Sequence, residues 1–210
     1  MKKTEVYVEM LKIYKELIIK YYVTGLSAKE THQLYVDYLK EYIKTTSNHP
    51  VFENNPKKYF NCNCYCYALE LVLPKRFSDI YVDLQKENFA HNDGFVSFSK
   101  FTTNKEKSLK NIYADLTTLD IHYYDSTPNT PNLHGGYKIA IYYDSPSKKD
   151  GAFHVARENT DGTWSEKVGY TNIIRKFNHL EDSYYCRKTY PKKYEVYKVL
   201  EIVKPVATII

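Results

Sequence analysis

The sequence predicts an α+β fold, and three observations carry that prediction. Helical periodicity dominates the first part of the chain, where two amphipathic stretches lie within the first 46 residues. Period-two alternation dominates the last third, from Tyr137 onward. Between them lies one short apolar run, Cys64 to Leu73, closed by Pro74. Helices first, then a buried helix, then consecutive strands joined by short turns is the order of a helical layer on an antiparallel sheet.

Taken in order, residues 3 to 22 place Val6, Met10, Ile13, Leu17 and Tyr21 at helical spacing and end before Gly25. Ser27 with Glu30 forms a capping box for a second helix. Its stripe of Leu34, Tyr38, Leu39, Tyr42 and Ile43 runs to about Thr45. Residues 1–46 therefore read as a helical hairpin and 47–210 as the main domain. The polar run Thr46 to Lys58, with Pro50 and Pro56, is a connector. In NCNCYCYALELVLP, Asn61 or Asn63 would cap a helix starting near Cys64 and running to Leu73.

Beyond it, Thr103 to Leu119 reads as a helix with Leu109, Ile112, Tyr113, Leu116 and Leu119 inward. Residues 79 to 102 fit either a strand or a loop. Strands are predicted at Ile121 to Tyr124, Tyr137 to Tyr143 and Tyr194 to Val203. After Gly169 the pattern weakens.

The most informative stretch is Gly151 to Gly169. Phe153, Val155 and Arg157 alternate with His154, Ala156 and Glu158, and Asn159-Thr160-Asp161-Gly162 supplies turn residues before Thr163-Trp164-Ser165 resumes a strand. A three-residue loop with a glycine bulge pairs Ala156 with Glu166 and makes His154 and Glu166 diagonal neighbours. A two-residue loop would instead put Ser165 and Lys167 on the face of His154. The small flanking alanines suggest an unobstructed imidazole.

Composition bounds the function. The 210 residues carry a net charge of +5 with 30 basic and 25 acidic residues interspersed, which argues against a nucleic-acid surface. The charged N-terminus has neither the apolar core of a signal peptide nor the length of a membrane span, so a cytoplasmic protein is expected, with a virion or host cell as alternatives. The 23 tyrosines fit an AT-rich genome. The cysteine spacing is no secreted disulfide framework, and Cys62, Cys64, Cys66 and Cys186 lack the paired spacing of a zinc site.

A thiol at a helix start, a histidine beside it and a polar group behind the histidine make a nucleophile, a general base and an orienting residue. Cys64, His154 and Glu166 fit these roles, with Asn61, Asn63 and Tyr59 as oxyanion or substrate candidates and Trp164 as groove or core.

FHVARENTDGTWSEKVG resembles a motif of papain-like cysteine peptidases related to the NlpC-type cell-wall peptidases, F-H-x-x-R-x-x-x-D-G-x-W-S-x-K-x-G. Phe153, His154, Arg157, Asp161, Gly162, Trp164, Ser165, Lys167 and Gly169 fit it. Asn63-Cys64-Tyr65-Cys66-Tyr67-Ala68 is similar to the N-C-Y-x-Y-A that opens the catalytic helix of such proteins, and Gly136-Tyr137-Lys138 to the segment before the histidine. The likeness spans roughly residues 60 to 170 and departs at Glu166, where the pattern has His. It implies a papain-like fold and a thiol-dependent hydrolase or transferase of amide bonds: Cys64 the nucleophile, His154 the base, no cofactor or metal. Peptide, protein or peptidoglycan-stem substrates fit, as does a protein partner on the N-terminal helices. The alternative is a catalytically inactive papain-like module serving as a binding or viral or phage structural component.

Overall fold

The structure, a computed structural model, describes residues 3–25, 27–59, 63–71, 105–144, 153–169, 171–187 and 194–207. The hairpin forms as its periodicity dictates. Helix α1 (Lys3–Ile19) continues as a π-turn over Lys20–Thr24 and stops at Gly25, and α2 spans Ala28–Lys44. The capping box is complete: the Ser27 Oγ accepts from the Glu30 N–H, and the Glu30 carboxylate accepts from the Ser27 N–H at 3.1 Å. Leu17 of α1 and Tyr35, Val36, Tyr38, Leu39 and Ile43 of α2 are buried in one continuous cluster with the next helix and the sheet.

That next helix, α3 (Cys64–Ala68), is shorter than the apolar run suggests. Asn63 caps it, its Oδ1 accepting from the Cys66 N–H at 2.9 Å. At the other end the Leu71 N–H reaches the Cys66 carbonyl (2.8 Å) and the Glu70 N–H the Tyr67 carbonyl (3.1 Å), a double-bonded helix stop of the Schellman type. The stop puts Glu70 in the left-handed region at φ 59°, where glycine is usual. The side chain explains the exception: its carboxylate is the anion that two buried cations share. The expected continuation to Leu73 is thus broken at Ala68, because local apolarity predicts burial and not the geometry of the stop. The run from 79 to 102 lies outside the described residues.

Helix α4 (Lys105–Thr118) buries Ile112 and Leu116, with Leu119 just beyond its end and Leu109 and Tyr113 partly buried. The strands are β1 (His122–Ser126), β2 (Tyr137–Asp144), β3 (Phe153–Glu158), β4 (Trp164–Lys167), β5 (Ile174–Phe177) and β6 (Tyr194–Val203). They form one antiparallel sheet in the order β1-β6-β2-β3-β4-β5. The architecture is α+β, an N-terminal helix pair with a curled antiparallel sheet. Gly136 opens β2 against β6, where a Cβ would stand 2.1 Å from the Ile202 carbonyl oxygen.

The sheet buries both faces. Tyr137, Ile139, Ile141, Val155, Ile174, Leu200 and Ile202 pack with α3 and the helix pair. Ala140, Tyr142, Ala156, Trp164, Phe177, Tyr194 and Val199 form a second cluster together with Leu180.

Candidate active site

The β3–β4 hairpin sets the geometry. Ala156 pairs with Glu166, Arg157 with Ser165 and Glu158 with Trp164. The Asn159 N–H donates to the Thr163 carbonyl at 2.7 Å and the Gly162 N–H to the Asn159 carbonyl at 2.9 Å, with Gly162 at φ 78°. This is the register of the bulged three-residue loop, and it makes His154 and Glu166 diagonal neighbours. Their side chains meet: the His154 Nε2 lies 2.7 Å from a Glu166 Oε2 that has no exposed surface.

Cys64 lies within electrostatic and hydrogen-bonding reach of the same ring. Burial alone would pull the His154 pKa down, but Cys64, by charge and by hydrogen bonding, and the Glu166 carboxylate together lift it to about 9. Nε2 is spent on Glu166, which leaves Nδ1 for the thiol, and Nδ1 has no fully formed hydrogen bond among the described residues. Helix α3, little more than a turn long, adds only a small dipole field at its start.

The imidazole is not open, contrary to what the flanking alanines suggest. His154 is 1% exposed and Cys64 6%. Across the ladder from His154, Tyr142 packs at 5.7 Å between ring centroids, and Tyr185 packs at 4.3 Å. The alanines are sequence neighbours; the covering rings come from β2 and from the segment before β6.

Glu166 would be costly to bury as an anion without donors. The Ser183 Oγ donates to its Oε2 at 2.6 Å, the Tyr184 N–H donates to its Oε1 at 2.7 Å, and the Arg175 guanidinium lies 3.8 Å from the same Oε1. Burial pushes its carboxyl pKa up; the His154 hydrogen bond and charge, with Ser183 and Tyr184, outweigh this and hold it below the usual range. Sequence reasoning missed Ser183, Tyr184 and Arg175. Ser183-Tyr184 follows a 3₁₀ turn at Leu180–Asp182 that carries no periodicity, and β5, which supplies Arg175, is four residues long.

The chain matches no protein-family model, no curated protein and no solved structure.

The remaining candidates divide by place. Asn63 is the helix cap, a structural task, and Asn61 lies outside the described residues. Tyr59 is buried edge-on to Tyr67, at 4.9 Å, in a cluster around Arg157 and away from His154. Trp164 is 4% exposed and packs in the second core cluster. Among the described residues, no group of His, Cys, Asp and Glu has a metal-binding arrangement. No described helix is long and apolar enough to cross a membrane. A cavity of about 690 Å³ between the helix pair, the connector and residues 206–207 includes none of Cys64, His154 and Glu166 in its lining.

Arg157 serves α3 from the opposite face of β3. Its guanidinium donates to the Tyr67 carbonyl (3.2 Å) and the Val51 carbonyl (3.3 Å), pairs with Glu70 (3.3 Å), and lies 4.4 Å from the Tyr67 ring centroid. The Tyr67 hydroxyl donates to the Ser165 Oγ (3.0 Å), which donates to the Asn159 Oδ1 (2.8 Å). The Tyr137 hydroxyl reaches the Ala68 carbonyl at 2.8 Å. Motif residues Tyr67, Arg157 and Ser165 thus lock the helix that carries Cys64 to the hairpin that carries His154.

Proposed function

We propose that the protein is a thiol-dependent hydrolase or transferase of amide bonds with a papain-like arrangement, in which Cys64 is the nucleophile, His154 the acid–base and Glu166 the orienting carboxylate. The observation that supports this reading is a buried His154 whose Nε2 is committed to the Glu166 carboxylate, whose Nδ1 keeps no full hydrogen bond among the described residues, and which lies within reach of Cys64.

The chemistry follows from those positions. The Cys64 thiolate adds to the amide carbonyl, the His154 imidazolium gives its proton to the departing amine nitrogen, and a thioester remains. A water, or an amine in the transfer case, then attacks the thioester while His154 takes its proton, releasing acid or new amide and restoring the thiolate. Glu166 holds the ring and stabilises its charged form throughout. Peptides, isopeptides and peptidoglycan stems present the same bond, and the chemistry requires no cofactor or metal.

A catalytically inactive module is the second reading, favoured by the near-complete burial of Cys64 and His154. Mass-spectrometric labelling with iodoacetamide across pH separates the two. The enzyme reading expects a Cys64 adduct at neutral pH, absent in Cys64→Ala and strongly slowed in His154→Ala. No adduct, or labelling indifferent to His154→Ala, overturns it.

A further inference from the structure

The segment from Leu180 to Cys186 reaches the site three times. The Ser183 hydroxyl and the Tyr184 N–H hold the two oxygens of Glu166, and the Tyr185 ring packs on His154. The segment is itself pinned at both ends. The Tyr142 hydroxyl, from β2, donates to the Leu180 carbonyl at 3.2 Å, the Cys186 thiol donates to the Tyr194 carbonyl at 3.1 Å, and the Tyr194 N–H donates to the Tyr185 carbonyl at 3.3 Å.

Ser183 has no exposed surface, and its hydroxyl has a defined direction. The Tyr185 N–H donates to the Ser183 Oγ at 3.4 Å and the Tyr142 hydroxyl is also within hydrogen-bond reach of it; because an ionised carboxylate only accepts, the short 2.6 Å contact takes the serine proton to Glu166. An alcohol that donates to a buried carboxylate favours its ionised form.

We infer that Ser183 is a fourth, positioning member of the site: its hydroxyl fixes Glu166 in the orientation and charge state that serve His154. The inference rests on the proposed hydrolase reading and adds the residue that sustains its orienting carboxylate. Among the described residues, the titratable and charged groups around Glu166 are His154 on β3, Arg175 on β5 with Tyr184 against its guanidinium, and Tyr142 on β2, whose own surroundings include Glu181 and Cys186; Tyr185 packs on the imidazole and Cys64 lies within its reach. Ser183 supplies a neutral side-chain donor beside the Tyr184 backbone N–H, so its replacement changes the carboxylate's support without changing the net charge.

The test compares the full chain with Ser183→Ala and Ser183→Thr, read in two ways. His154 ring resonances are followed by NMR through acid pH, where protonation of Glu166 gives an inflection, and Cys64 alkylation by iodoacetamide is timed over the same range. Ser183→Ala is expected to move the inflection and the acid limb of alkylation upward by about one pH unit, the size expected for a lost hydrogen bond to a charged group. Ser183→Thr, which keeps the hydroxyl, returns both toward wild type. A Ser183→Ala protein that folds with a lower melting temperature but an unmoved inflection overturns the inference, as does a threonine variant that behaves like alanine. The two readings fail separately. A wild type that alkylates normally beside an unmoved inflection removes Ser183 alone. A moved inflection in a protein whose Cys64 never reacts removes the hydrolase reading and leaves the hold on Glu166 standing.

Discussion

On one face of β3, His154 meets Glu166; on the other, three residues along, Arg157 meets Glu70, which also accepts from Lys204 at 2.9 Å. Both clusters bury ionised groups, and both use a carboxylate drawn from outside the strand. They differ in what is left over. The His154 cluster has one titratable ring whose second nitrogen keeps no full hydrogen bond among the described residues, with Cys64 within its electrostatic reach. The Arg157 cluster sets two cations on one carboxylate and spends Arg157 on carbonyls at Tyr67 and Val51, with only its Nε unpartnered among the described residues. Arginine cannot give up a proton in a protein, which suits it to hold α3 and not to react. Alternation along one strand thus separates a chemical charge from a mechanical one.

The comparison breaks first at Glu166. Glu166→Gln keeps the shape and removes the charge that supports the imidazolium, so turnover is expected to fall by about two to four orders of magnitude, as when a triad carboxylate becomes an amide. The melting temperature should fall too, because a buried pair loses its anion, and a loss of turnover under tenfold per folded molecule would show that His154 is oriented from elsewhere.

Arg157→Met tests the opposite cluster. Removing one partner of a buried ion pair costs about 3–5 kcal/mol, to be read as a lower urea midpoint. Iodoacetamide reactivity per folded molecule should stay within a few-fold of wild type, and abolished reactivity in a folded variant would mean that the two clusters are not separable.

Next come the opposite pH dependences. Between 6.5 and about 9 the folded chain keeps a His154 proton that the unfolded chain releases, so this group's contribution to stability falls as pH rises; for the proposed hydrolase the alkaline limb of activity is expected near 9. Lys204 is the reverse. Burial pulls its pKa down to about 8 against the pull of Glu70. Between about 8 and 10.5 the unfolded chain holds a proton that folded Lys204 has lost, and stability rises with pH. Urea midpoints measured across this window should differ in slope between wild type and Lys204→Met by up to about 3 kcal/mol. Parallel curves would show that Lys204 keeps an ordinary pKa.

The smallest effect is expected at the link between helix and hairpin. Tyr67→Phe removes the donor to Ser165 while Ser165 still donates to Asn159, costing about 1 kcal/mol without changing the alkaline limb. A shifted limb would tie this link to the reaction.

Much of this molecule is legible in its local sequence. Ser27 and Glu30 specify a helix start because both partners of the capping box lie within one turn. Asn159 to Gly162 specify a turn, and a turn fixes register for every residue beyond it, which is why Ala156 opposite Glu166 follows from a few letters. The tertiary structure alone decided what surrounds those residues. Glu166 draws on Ser183, 17 positions away, and Glu70 draws on Lys204, 134 positions away. Tyr142 and Tyr185 bury a histidine whose own neighbours are small. Helix α3 stops at Ala68, with Glu70 in a conformation that its local sequence disfavours, where two distant cations meet its carboxylate. Backbone hydrogen bonding and side-chain alternation act over a few residues and can be read from order along the chain. Burial of charge is settled by groups that meet only when the sheet has closed.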